Sequence, residues 1–209
     1  MIKDVGNILK SKIELLPFID RIAGVVQTAK EQTQNGSGGF KTSRFPVSCN
    51  VDGMDCVEQT ERLRDLIPNS EKKSIFYFED INGVQFVSQV RKDFNFIASI
   101  RLVGWLNKKK LGKDDCSITS IVVANVIRAL TQGKRTFNEF PFTKVSIKIN
   151  QQVLGDEKIF SRYSYSETEI QYLIYPYDFF ALDLKVKFSI NEDCMEEFEL
   201  GIENECNDI

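Results

Sequence analysis

The sequence predicts an α+β protein, a mostly antiparallel sheet covered by one central helix, with a helical segment at its N-terminal side. Three observations predict it. Apolar residues recur at three- and four-residue spacing over 1–33, at Val5, Ile8, Leu9, Ile13, Leu16, Ile19, Ile22 and Val26. A strict two-residue alternation marks 182–190, with Leu182, Leu184, Val186, Phe188 and Ile190 on one face and Asp183, Lys185, Lys187 and Ser189 on the other. Between them, most of the 16 phenylalanines share runs with Val, Ile and Tyr, side chains that favour strands.

Each element can be justified in order. Pro17 interrupts the first helical pattern, which predicts a kink or two short helices meeting there. Asn35 to Gly39 reads as a flexible turn, and 35–43 is expected to be mobile or ordered only by a neighbour, since it offers little burial to offset its ordering entropy. Phe45, Val47 and Cys49 alternate as a short strand, and 56–67 reads as a short helix stopped by Pro68. Ser74 to Glu79 and Val84 to Val90 read as paired strands, reversed by a tight turn at Asp80-Ile81-Asn82-Gly83 where glycine takes a positive φ cheaply.

Phe94 to Leu106 is a longer strand with two apolar faces: Phe94, Phe96, Ala98, Ile100 and Leu102 on one, Ile97, Val103 and Trp105 on the other. Such a strand calls for cover on both sides. Lys108-Lys109-Lys110 follows as a solvated turn. In Ser117–Leu130 the many branched residues argue locally for a strand, but the length and the stop at Gly133 favour a helix, the one laid over the sheet. Val145, Ile147 and Ile149 alternate as a further strand. The resulting organisation is 1–34 as an amphipathic helical segment, 44–191 as the α+β domain, and 192–209 as an acidic C-terminal extension.

Charge sets that extension apart. The chain carries 27 basic and 30 acidic residues, and eight of the acids (Glu192, Asp193, Glu196, Glu197, Glu199, Glu203, Glu205 and Asp208) follow Asn191 with no Lys or Arg among them. Without those eight, 22 acids face 27 bases, a formal +5. The extension is therefore expected to be an assembly element that seeks a basic receiver, with Lys108, Lys109, Lys110 and Lys113 as one patch and with Met195, Phe198, Leu200 and Ile202 as an apolar stripe. No stretch approaches the roughly 18–20 apolar residues of a membrane span, so no membrane partner is expected. Asp4, Lys10, Lys12 and Glu14 interrupt the first segment, unlike a secretory signal. Five scattered cysteines, an odd number, read as reduced thiols and place synthesis in the cytoplasm.

The chemistry available is limited by the absence of histidine. That excludes a Ser–His–Asp triad, a Cys–His dyad and any imidazole metal site. Cys49 and Cys56, with Asp52 and Asp55 between them, lack the spacing of a structural zinc site. The glycine-rich run at 35–39 lacks the Gly-Lys-Ser/Thr ending of a phosphate loop. Asp178 and Asp183, five residues apart, take opposite faces of any strand that holds both, with Asp183 toward solvent. No catalytic residue, metal ligand or cofactor is assigned, and the chain is expected not to be an enzyme. Arg101, Lys108, Lys109, Lys110 and Lys113 are the densest basic stretch, but Phe96 and Trp105 fall on opposite faces, unlike the stacking surface of a single-strand binder. Tyr163, Tyr165, Tyr172, Tyr175, Tyr177, Phe179 and Phe180 make an aromatic approach to the last strand, read either as a core edge or as a subunit contact. The interface candidates are Trp105, Lys108, Lys109, Lys110, Tyr172, Tyr175, Tyr177, Phe179, Phe180 and Phe198.

The order of elements resembles that of the tail-terminator and neck-ring proteins of tailed bacteriophages. The matching pieces are a helix to about Gln32, strands from Ser74 to Leu106, the helix Ser117–Leu130 and a long closing strand ending near Ile190. Tyr175-Pro176-Tyr177-Asp178-Phe179-Phe180-Ala181-Leu182-Asp183-Leu184 is similar to the closing strand of such virion proteins. The acidic extension after Asn191 departs from the simpler members. The resemblance implies a homo-oligomeric ring, hexameric or higher, at the head–tail joint or tail end. Its partners would be itself and neighbouring neck or tail proteins, with non-specific contact to DNA in the channel, and its location the virion. A nucleic-acid-binding module and a carboxylate–metal nuclease stay open as alternatives. The first requires a continuous basic aromatic face, the second several acids lining one pocket.

Overall fold

Helix α1 (Ile2–Ile13) forms because Val5, Ile8, Leu9 and Ile13 recur on one face, which is buried. Asp4 sits in its first turn and pairs with the Met1 amine at 2.7 Å, while Lys10 and Lys12 occupy the last turn, an order that suits the helix dipole. The computed structural model describes residues 1–34, 39–48, 65–112, 117–132, 137–139, 142–164 and 172–194.

The helical pattern predicted to run on to residue 33 stops before Pro17, and the rest of that segment is strand: β1 (Arg21–Val25) and β2 (Gln27–Gln34). The cause lies in the contacts that follow the proline. The Ser74 hydroxyl donates to the Phe18 carbonyl at 2.7 Å and accepts from the Asp20 amide at 3.0 Å. The Asp20 carboxylate accepts from the Lys73 amide at 3.0 Å. These bonds hold 18–20 against the start of β4 (Ser74–Val90), so Ile22 and Val25 enter a parallel ladder beside Phe76 and Phe78.

β2 and β3 (Phe40–Val47) form a separate two-stranded sheet in continuous register from Gln27↔Val47 to Gln34↔Phe40. Residues 40–43, expected to be mobile or ordered only by a neighbour, form the start of β3. Residues 35–38 of that expectation, the end of the short strand at Cys49, and most of the helix expected over 56–67 lie outside the described residues. Phe45 and Val47 pack with Ile67 at the base of this hairpin, while its outer half is largely exposed.

The main sheet has six strands in the order β1-β4-β5-β8-β7-β6, with β5 at Asp93–Asn107, β6 at Phe137–Glu139, β7 at Phe142–Leu154 and β8 at Tyr177–Asn191. All pairs but β1–β4 are antiparallel. The reversal expected at 80–83 does not occur there. β4 continues through a bulge in which Ser99 alone lies opposite Ile81, Asn82 and Gly83. The turn chemistry serves that bulge, since Gly83 has φ +70 and its amide donates to Asp80 Oδ1 at 2.6 Å. The chain reverses at Arg91, φ 57, and Lys92 instead.

The fold is the expected α+β one, and the N-terminal helix joins the central helix in covering the sheet. α1 and α2 (Ile118–Thr131) lie on the same side, where Leu9, Ile13, Val122 and Val126 pack with Phe76, Ile100, Leu102, Leu182 and Val186. Among the described residues, the other side is covered over part of its length only. There Ile159 and Phe160 of the 3-10 turn Glu157–Phe160, with Tyr163 just after it, cover Ile75, Tyr77, Val103, Trp105, Phe179 and Ala181. Both apolar faces expected of β5 are thus filled along its second half.

Two close approaches fix this packing. A Cβ at Gly6 would lie 2.5 Å from Val25 Cγ2 and 2.8 Å from the Val25 amide nitrogen, so α1 rests directly on β1. A Cβ at Gly104 would lie 2.5 Å from the Phe180 ring, which is fully buried and set edge-on to Phe76. Gly104→Ala should therefore destabilise the fold by about 1–3 kcal/mol in urea unfolding, as overpacking does. Adding Phe180→Leu should restore part of that loss, whereas a double variant no better than the sum of the single ones would place the strain elsewhere.

Candidate functional site

The sheet face away from the helices changes character midway, and that boundary gathers the charged groups. Glu79 on β4 is 2% exposed and accepts a hydrogen bond from the Tyr163 hydroxyl at 2.7 Å. Across the ladder, Glu79 pairs with Arg101, and Arg101 pairs with Asp183 on β8. Arg101 Nε donates to Asp183 Oδ1 at 2.6 Å and Nη2 to Oδ2 at 3.0 Å, a two-pronged pair. Arg162 Nη1 donates to the Asp80 carbonyl at 2.8 Å. Burial pushes the Glu79 carboxyl above its ordinary range; the Tyr163 bond and the charges of Arg162 and Arg101 oppose that shift without cancelling it. The bonds from Asp183 raise Arg101 further above its ordinary value. Glu79 is too enclosed to meet a substrate, so its role is to fix Tyr163 and the 159–163 turn against the sheet. Among the described residues, no three Cys, Asp or Glu gather to hold a metal ion.

The interface candidates divide. Trp105, Phe179 and Phe180 are core, with Trp105 1% exposed, its Nε1 donating to the Tyr172 carbonyl at 2.7 Å and its ring stacked on Tyr177. They present no surface to a partner in this chain. Tyr172 and Tyr177 are half-buried beside them, their rings edge-to-face at 5.2 Å. Tyr175 is exposed, and Lys109 lies over its ring 6.0 Å from the centroid. Phe198 lies outside the described residues.

The lysine turn is solvated at Lys109 and Lys110 but not at Lys108. Lys108 pairs with Asp178 at 3.0 Å with little exposure, and Thr119 Oγ1 donates to the same carboxylate at 2.5 Å. That carboxylate joins the end of β5, the first turn of α2 and the start of β8. Lys110 Nζ donates to the Glu71 carbonyl. Asp183, expected toward solvent, is held by Arg101 with its side chain 19% exposed. Asp178 and Asp183 do lie in one strand, on opposite faces. Arg101, Lys108 and Lys110 are thus committed within the chain, and Lys113 lies outside the described residues, as do four of the five cysteines.

Two surfaces escaped the sequence reading. The first is the outer edge of β4 beyond β1. Val84 to Val90 contains no charged residue and no proline, and among the described residues no strand pairs with its outer side. Phe86, Val87 and Val90 on it are 59%, 53% and 60% exposed. The second is the uncovered half of the sheet face. Lys144 and Lys148 of β7 and Lys185 and Lys187 of β8 stand exposed there, with Lys148 directly opposite Lys185. The strict alternation in β8 was the available signal for the second. For the first there was none, because reading Val84–Val90 as half of a hairpin assigned it a partner on one side without asking about the other.

No protein-family model matches the chain, and no curated protein sequence matches it.

The Glu79 environment makes a signed prediction. Its folded pKa lies above the unfolded one, so the stability linked to its proton is present at low pH and lost as pH rises from the ordinary carboxylate range through the raised value. Glu79→Gln keeps an acceptor for Tyr163 and removes the buried charge. Thermal unfolding should therefore show a flatter pH profile in the variant and a midpoint a few degrees higher at neutral pH, while an unchanged slope would mean Glu79 does not titrate in that window.

Proposed function

We propose that the chain is a structural virion protein of a tailed bacteriophage, forming a closed ring at the neck or the tail end. The observation that carries the assembly part of this reading is the Val84–Val90 edge. Natural sheet edges are blunted with lysines, prolines or covering loops because a bare apolar edge invites pairing. This one has seven uncharged residues, with Phe86, Val87 and Val90 turned out to solvent. A bulge near Val87 bends it, which limits the ladder a neighbour could add. Its exposed side chains still need cover. A ring of identical subunits gives every copy of such an edge a partner and leaves none over, which an open chain of contacts does not.

The β2–β3 hairpin supports the same reading. Eight residues per strand make an arm about 26 Å long. Two strands alone are marginally stable in water; Ser164 of the body bonds this arm at Thr42 and Arg44, and beyond them Phe40 stands exposed. The neck or tail location rests on the order of elements: an opening helix, antiparallel strands, a helix over the sheet and a long closing strand.

Size-exclusion chromatography with light scattering, followed by negative-stain microscopy, tests the proposal on the full chain. Discrete rings are expected, and Phe86→Asp with Val90→Lys should leave monomers whose melting temperature stays within a few degrees of the parent. A parent that remains monomeric at high concentration and shifts DNA in a gel, or cuts it with a divalent metal, would overturn the reading.

A further inference from the structure

Among the described residues, nothing forms an ion pair with the lysine face of Lys144, Lys148, Lys185 and Lys187. Lys148 and Lys185 are cross-strand neighbours, an arrangement that like charges disfavour. Lys187 follows Lys185 on the same face, about 7 Å along the strand. The ladder partners around them are Ile97, Ser99, Ser146 and Ser189, none of them acidic. The nearest carboxylate along β8 on this face, Asp183, is already neutralised by Arg101. A surface with four positive charges that no described residue pairs favours an anionic partner.

Building on the self-assembly reading, we infer that this face receives the acidic C-terminal segment of a neighbouring copy. Residues 195–209 carry Glu196, Glu197, Glu199, Glu203, Glu205 and Asp208 with no basic residue, a complement to the lysines on the same polypeptide. Fifteen residues reach on the order of 50 Å when extended, enough to cross to an adjacent subunit. The direction of exit favours the neighbour over the parent chain. The Glu192 amide donates to the Lys92 carbonyl at 2.7 Å and Asp193 pairs with Lys92 at 3.1 Å, so the chain leaves at the β4–β5 turn. Cys194 then packs against the helix-side core, on the opposite side of the sheet from the lysines. Reaching its own lysine face would require the segment to double back around the sheet end. A nucleic-acid strand is the poorer match, because the described ladder residues around these lysines include no aromatic side chain for a base to stack on.

The contact is electrostatic and exposed, so it should weaken with salt. Equal amounts of nitrogen-15-labelled and unlabelled full chain, mixed and treated with a zero-length carbodiimide coupler, provide the direct test. Amide links are expected from Lys148, Lys185 or Lys187 to acids at 196–208, and they should join labelled to unlabelled chains. The exposed triple variant Lys148→Glu, Lys185→Glu, Lys187→Glu should associate about tenfold more weakly at low salt, with little remaining salt dependence. Assembly that persists with those acids linked only to Lys108, Lys109 or Lys110, or linked only within one chain, would overturn the inference and leave the ring reading standing. A parent that binds single-stranded DNA through these lysines, with binding lost in the triple variant, would overturn it in favour of nucleic acid. A parent that never assembles would remove both the inference and the ring.

Discussion

A mismatch in strand length shapes this molecule. β4 runs for 17 residues, and the strand on its outer side, β1, has five. β1 is short for physical reasons at both ends. Pro17 and the Asp20–Ser74–Lys73 bonds fix where it begins, and at Val26, whose amide still reaches the Phe78 carbonyl at 2.8 Å, the chain turns away into the β2–β3 arm. Between those ends, Gly6 and Gly24 let α1 lie on it closely; a Cβ at Gly24 would approach Asn7 Oδ1 to 2.8 Å. The first half of β4 is therefore an interior strand, and the second half is an edge.

The same division extends across the sheet. Beside the paired half of β4, both faces are packed, by α1 and α2 on one side and by the 159–163 turn on the other. Beside the unpaired half, the helix side remains apolar through Phe96, Phe188 and Phe142, and the opposite side turns to lysine. Glu79, Tyr163, Arg101 and Asp183 stand where one regime meets the other. Their mutual bonds satisfy charges that the incoming turn partly removes from water, which an apolar core could not tolerate unpaired. The cluster marks the seam at which cover of the sheet by described residues ends.

Much of the sheet was legible in the sequence. β8, β5 and β7 follow from alternation, whereas α2 took its length and the stop at Gly133 to be told from a strand. The misreadings have specific causes. Ile19, Ile22 and Val26 keep helical spacing by coincidence, and only the long-range bonds to Ser74 and Lys73 make that stretch a strand. Asp80 to Gly83 has turn residues, but a bulge uses the same left-handed glycine as a reversal does. Lys108 looked solvated because its partner, Asp178, is 70 residues away in sequence. Aromatic residues such as Trp105 and Phe179 suit an interface and a core equally, and only three-dimensional cover separates the two. The exposed β4 edge was invisible for the reason that matters most to function, since the absence of a partner is a property of the assembled sheet and leaves no local pattern.

The central claim is that the outer half of β4 is buried when copies of this chain meet. Amide hydrogen exchange of the full chain, compared between dilute dissociated and concentrated assembled protein, tests it directly. The account predicts that exchange across Val84–Val90 slows on assembly, while the interior of β8 is protected in both states. Equal exchange across Val84–Val90 in both states, with slowing confined to other surfaces, would contradict it.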